Sequence, residues 1–154
     1  TTWQTKYWND GAFAELADLL LDHRFNLVFT GGPQDGSAIA NIIRLMSGKS
    51  ANLAGRTSLK TLAALYTLTN LVISTDTGPM HIAAAAGTPV VAIFGPTAPW
   101  RTGPCGSQHT IMRADLPCSP CFKKKCPRND NACMRQITAG AVYAAALKII
   151  ATHR

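Results

Sequence analysis

LVISTDTGPMHIAAAAGTPVVAIFGPT, Leu71 to Thr97, decides the fold. Two apolar runs, Leu71 to Ser74 and Pro89 to Phe94, read as buried strands, and the segment from Pro79 to Ala86 reads as a short helix between them. Continuous apolar strands joined through a helix predict parallel pairing with both faces of the sheet covered. The turn Asp76-Thr77-Gly78-Pro79 has its own chemistry. Gly78 lets a ligand approach the backbone, and Pro79 suits a first helical position because its missing N–H costs nothing there. Free amides at a helix start, reinforced by the helix dipole, attract an anion. A plain strand–helix turn capped by Asp76 or Thr77 reads equally well from physics alone.

The same alternation runs outward from this segment. A helical stripe of Phe13, Leu16, Ala17 and Leu20 follows Asp10 as N-cap, and Asn26 to Thr30 is a strand ending on Gly31-Gly32-Pro33. A helix from Ser37 to Leu45 and a strand near Ala51 to Leu53 come next. Ser58 caps a third helix with the stripe Leu59, Leu62, Ala63 and Tyr66. Residues 95 to 136 read as irregular, and Thr138 caps a final helix through Val142, Ala145, Ala146, Ile149 and Ile150. The expected fold is therefore α/β, a Rossmann-like parallel sheet with helices on both faces. Ligands in such sheets bind at the carboxyl ends of the strands, here Gly31-Gly32, Asp76-Thr77-Gly78 and Gly95-Pro96-Thr97.

The 154 residues allow one compact domain and are 47% apolar, which excludes a disordered chain. Apolar runs stay short of the roughly 18 residues of a membrane span. Residue 1 is Thr, and the chain reads as a piece of a longer protein. The net charge of +7 is local: residues 1–100 hold six basic and six acidic residues, the rest nine and two. The excess gathers around Arg101, Arg113, Lys123, Lys124, Lys125, Arg128 and Arg135, which suits a phosphorylated acceptor or an acidic membrane surface, or is simply a solvated face. Aromatics are not interleaved with it as a base-stacking surface requires, so no nucleic-acid partner is expected.

Cys118, Cys121, Cys126 and Cys133 follow a C-x2-C-x4-C-x6-C spacing, with Cys105 upstream. Four close thiols make a candidate clip for zinc or an iron–sulfur cluster, with reduced or disulfide-bonded cysteines as the alternative. A cysteine-centred metal or redox module is the rival function. An NAD-binding domain fails because no G-x-G-x-x-G follows a strand.

The run Asp76-Thr77-Gly78-Pro79-Met80-His81, its Ala-rich helix and Gly87 through Thr97 resemble the signature of glycosyltransferase family 9, the bacterial heptosyltransferases of lipopolysaccharide core assembly. Thr1-Thr2 through Lys6-Tyr7-Trp8, Gly31-Gly32, and Ala54-Gly55-Arg56-Thr57-Ser58-Leu59 extend the likeness. The resemblance implies the C-terminal, donor-binding half of a two-domain GT-B enzyme: residues 1–100 the Rossmann-like core, 101–136 a Cys/Lys-rich loop, 137–154 the last helix. It implies ADP-heptose as donor, a lipid A–core acceptor, inverting transfer without a catalytic metal, and peripheral work at the cytoplasmic face of the inner membrane. By position it assigns Thr1, Thr2, Lys6, Thr77 and Gly78 to the donor phosphates. Asp76 and His81 fall to the sugar; Gln34, Asp35, Arg56 and Thr57 fall to the nucleotide. The family places an acidic residue where Gln34 stands, a departure unless Asp35 substitutes. The general base is expected in the N-terminal half, so the chain should bind donor without turnover. A family member using another nucleotide-sugar is a further alternative.

Overall fold

A computed structural model describes residues 3–152. The helices are α1 (Asp10–Asp22), α2 (Gly36–Leu45), α3 (Leu59–Thr67), α4 (Gly78–Ala85), α5 (Pro99–Thr102), α6 (Ala132–Arg135) and α7 (Ala139–Thr152). The strands are β1 (Val28–Phe29), β2 (Ala51–Asn52), β3 (Val72–Thr75), β4 (Val90–Phe94) and β5 (Thr110–Arg113). All pairing is parallel: β1 with β2, and β3–β4–β5 in that order with Ser74 opposite Ala92 and Ala92 opposite Ile111.

β4 is the axis of the fold, with every residue fully buried. Its side chains alternate between two faces, as the strand period of two demands. Val91 and Ile93 enter a core with Leu16, Leu20, Val142 and Ile149 from α1 and α7. Val90, Ala92 and Phe94 enter a second core with Leu62 and Tyr66 of α3 and Met80 and Ala83 of α4. Helices thus cover both faces, as the apolar runs require. Trp8, fully buried, donates its indole N–H to the Ile137 carbonyl at 2.8 Å and tethers the start of α1 to the approach of α7.

Several local expectations need correction. Asn9, not Asp10, caps α1, its side chain accepting from the Ala12 amide. Ser58 caps α3 as expected, accepting from Thr61, yet Leu59 in the first turn is 74% exposed and only Leu62 and Tyr66 are buried. The stretch 95–136 is less irregular than its Pro, Gly and Cys content suggests, because it contains α5, β5 and α6. β5 escapes a pattern reading because it lies at the edge, with Ile111 exposed and Arg113 at its end.

Two substitutions test which face matters. Phe94→Ala should cost roughly 3–5 kcal/mol by opening a cavity in the second core. Leu68→Ala, at a position 84% exposed, should stay within about 0.5 kcal/mol. Urea denaturation of both variants measures the difference.

Candidate functional site

β3 delivers Asp76 and Thr77 to the carboxyl edge of the sheet, and α4 begins at Gly78. Thr77 is the N-cap in extended conformation, but no side chain accepts from the first-turn amides of α4. Its hydroxyl turns back to the Thr75 carbonyl at 3.2 Å and lies 3.3 Å from the Ser74 hydroxyl. A Cβ on Gly78 would meet nothing within 4 Å, so the helix start faces open space. The side-chain-capped alternative is therefore not the one adopted; the Met80 amide donates to the Thr77 carbonyl at 3.2 Å, Pro79 has no N–H, and the Gly78 amide is the first-turn donor that faces the open space.

Asp76 is 4% exposed. Three donors converge on its Oδ2: Lys6 Nζ at 2.7 Å, the Thr97 hydroxyl at 2.6 Å and the Thr102 hydroxyl at 3.4 Å. Lys6 also donates to the Asp76 carbonyl at 3.2 Å, and its ammonium lies 4.9 Å from the centre of the Trp3 ring. The carboxylate thus joins the segment before α1, the turn after β4 and helix α5. A buried carboxylate needs such partners, since an unpaired charge at this depth would cost several kcal/mol. Thr102 and Trp3 carry no local motif that would have flagged them.

The nucleotide-side residues form a second group. The Asp35 carboxylate closes its own turn by accepting from the Gly32 amide at 3.0 Å, and the exposed Gln34 folds its side-chain amide over Gly32. Gly55 donates to the Gly31 carbonyl at 2.9 Å, which brings Arg56 and Thr57 beside the Gly31–Asp35 turn. Gly55 has φ +69°, which favours glycine, and a Cβ there would stand a tight 3.1 Å from Pro33 Cα. The Tyr7 hydroxyl, next to Lys6, donates to Asp10 at the start of α1, and burial followed by the Asp10 and then the Asp35 carboxylate pushes its pKa well above the usual value. His81 sits exposed one turn into α4. Thr1 and Thr2 lie outside the described residues.

The cysteine-rich loop is docked on the strand ends. The Ser119 hydroxyl donates to the Gly95 carbonyl at 2.6 Å, the Phe122 amide to the Pro96 carbonyl at 2.8 Å, and the Thr5 hydroxyl to the Lys123 carbonyl at 2.7 Å. All five cysteines are unbridged. Among the described residues no three His, Cys, Asp or Glu side chains are placed to hold a metal ion. The candidate clip of Cys118, Cys121, Cys126 and Cys133 is not assembled as a coordination set among the described residues. The four thiols do share one neighbourhood. Burial, and then the charges of Cys121, Cys126 and Cys118, raise the Cys133 thiol above its ordinary value. The Asn131 amide lowers that of Cys126 against the cost of burial, with the Arg128 and Asp130 amides adding to it.

In parallel α/β domains the carboxyl edge of the sheet is where ligands bind, and here that edge carries an open helix start, a buried ion pair and a glycine-tightened loop pair. The profile of "Glycosyltransferase family 9 (heptosyltransferase)" matches residues 1–132. The chain belongs to this family. It is 33% identical over 136 residues to lipooligosaccharide heptosyltransferase 2 of Campylobacter jejuni subsp. jejuni serotype O:6, covering 86% of this chain and 43% of that protein. Its fold superposes on E. coli ADP-heptose lps heptosyltransferase II with a TM-score of 0.84 at 25% identity, over 97% of this chain and 43% of the other. E. coli heptosyltransferase WaaC with ADP gives 0.79 at 25% identity, over 97% and 42%. The chain spans less than half the length of these relatives, and its fold matches GT-B heptosyltransferase structures over that part.

Removing the carboxylate from the ion pair leaves the partly buried Lys6 ammonium without its partner: Asp76→Ala is expected to destabilise by about 3 kcal/mol, read by urea denaturation. Thr97→Val, which removes one donor to that carboxylate, should cost about 1.5 kcal/mol. The cysteines give a separate test. At neutral pH the lowered Cys126 holds more thiolate than the raised Cys133, so iodoacetamide should modify Cys126 faster, by about tenfold. The difference should narrow as pH rises toward the Cys133 value, and peptide mass spectrometry across pH follows both sites.

Proposed function

We propose that residues 1–154 form the donor-binding domain of an inverting glycosyltransferase that moves heptose from ADP-L-glycero-D-manno-heptose to the lipid A–core acceptor of lipopolysaccharide. The observation that carries this reading is the Lys6–Asp76–Thr97 assembly beside the uncapped start of α4. ADP is the leaving group, and charge develops on its diphosphate as the glycosidic bond breaks. The Thr77 and Gly78 amides, with Lys6 and the hydroxyls of Thr1 and Thr2, receive that charge. Fixed donors of this kind need no reorganisation at the moment of reaction, which is where electrostatic catalysis gains most.

Asp76 has two duties in this reading. It holds Lys6 in place, and with His81 it borders the transferred sugar. Gln34 and Asp35 lie at the ribose, and the backbone around Arg56 and Thr57 lies at the adenine. The general base that deprotonates the acceptor hydroxyl belongs to the facing half of the enzyme, which positions the acceptor at the sugar. No helix among the described residues is long and apolar enough to cross a membrane. The proposed attachment to the cytoplasmic face of the inner membrane is peripheral and runs through the basic loop. Family membership supports the heptose, and the likeness to E. coli WaaC with ADP supports an adenosine diphosphate.

Calorimetric titration of ADP and ADP-heptose into the chain should give saturable binding at one site. Incubation with donor and acceptor should give no transfer. An absence of binding at millimolar ligand would overturn the donor-site reading.

A further inference from the structure

We infer that Lys124 supplies the uncompensated positive charge that receives the diphosphate of the nucleotide-sugar. The inference rests on the donor-site reading above and adds to it a residue that the family signature does not mark.

Charge balance at the helix start sets the requirement. Lys6 is the cation that the sequence offers for the diphosphate, but its ammonium is held 2.7 Å from Asp76 Oδ2. As a unit the pair is neutral, so it orients donors at the helix start while adding little net attraction for an anion with several negative charges. A second cation is needed close to the first. Lys124 meets that condition, because its ammonium lies 5.7 Å from the centre of the Trp3 ring, and Lys6 lies 4.9 Å from the same centre. Both ammonium groups lie within about 6 Å of one ring centre, so each raises the positive potential felt by an anion bound beside Trp3. Among the described residues no carboxylate forms an ion pair with Lys124, so its charge is not neutralised by one.

The position of Lys124 is also built rather than incidental. Its neighbour Lys123 accepts from the buried Thr5 hydroxyl through its carbonyl, and Phe122 is bonded to Pro96 at the end of β4. Both contacts hold the loop against the end of β4 and the segment that carries Lys6. In the sequence Lys123, Lys124 and Lys125 are three equal members of a charge run. The fold singles out the middle one.

The test is calorimetric titration of ADP and of adenosine into the wild-type chain and into Lys124→Met, Lys124→Arg and Lys125→Met. Lys124→Met should weaken ADP binding about tenfold while leaving adenosine binding unchanged, as expected for loss of one charged contact to phosphate. Lys124→Arg, which keeps the charge, and Lys125→Met, which removes a neighbouring one, should both stay within about twofold of wild type. The inference is overturned if Lys124→Met leaves ADP affinity within about twofold of wild type, or if Lys125→Met loses as much. It is equally overturned if adenosine weakens in step with ADP, because the loss would then be structural. Wild-type chain that binds ADP while Lys124→Met matches it removes only Lys124 from the site. Wild-type chain that takes no ADP removes the donor-site reading and this inference together.

Discussion

The ion pair between Lys6 and Asp76 is the constraint on which the arrangement of the site depends. Asp76 is buried at the end of a strand, where a carboxylate without partners would be among the costliest groups in the molecule. Its partners come from the segment before α1, the turn after β4 and helix α5, so stabilising one charge fixes three pieces of chain. Those pieces are the walls around the start of α4. A requirement of electrostatic solvation thereby becomes a requirement of shape.

The rest of the architecture keeps that edge in place. β4 is buried on both faces, so its end cannot shift without disturbing two cores at once. The turn that follows it holds Thr97 on Asp76 and offers the Gly95 and Pro96 carbonyls to the cysteine-rich loop. This is why a stretch of poor intrinsic periodicity is nonetheless ordered against the sheet. Its structure is imposed by hydrogen bonds to the strand ends rather than by its own helix or strand preference.

Legibility of the sequence follows the range of the interactions. β3, α4 and β4 could be read directly, because apolar runs, a Gly-Pro helix start and small helical residues are local signals. Ser58 as a cap was readable for the same reason. At α1 the pattern points to Asp10, but the side chain that reaches the Ala12 amide belongs to Asn9, one residue earlier. β5 has no apolar run to announce it and exists because β4 offers it an edge. In the site, Lys6 and Asp76 each stood out, but they are 70 positions apart and their union is a tertiary fact. Thr102, Trp3 and the special place of Lys124 were invisible for that reason. The thiols illustrate the converse, since a suggestive spacing did not translate into a coordination set.

The contact between Gly55 and Pro33 has a thermodynamic meaning beyond its geometry. Because the backbone of one loop rests on that of the other, with the Gly55 amide held by Gly31, the two loops lose their independent freedom during folding. The entropy of ordering them is lost once, as part of reaching the native state, and would not be lost again on binding of the nucleotide proposed for these loops. A more mobile pair of loops would have to be ordered at each binding event. Substituting any larger residue for Gly55 would therefore be felt less as a lost contact than as a return of that disorder to the binding step.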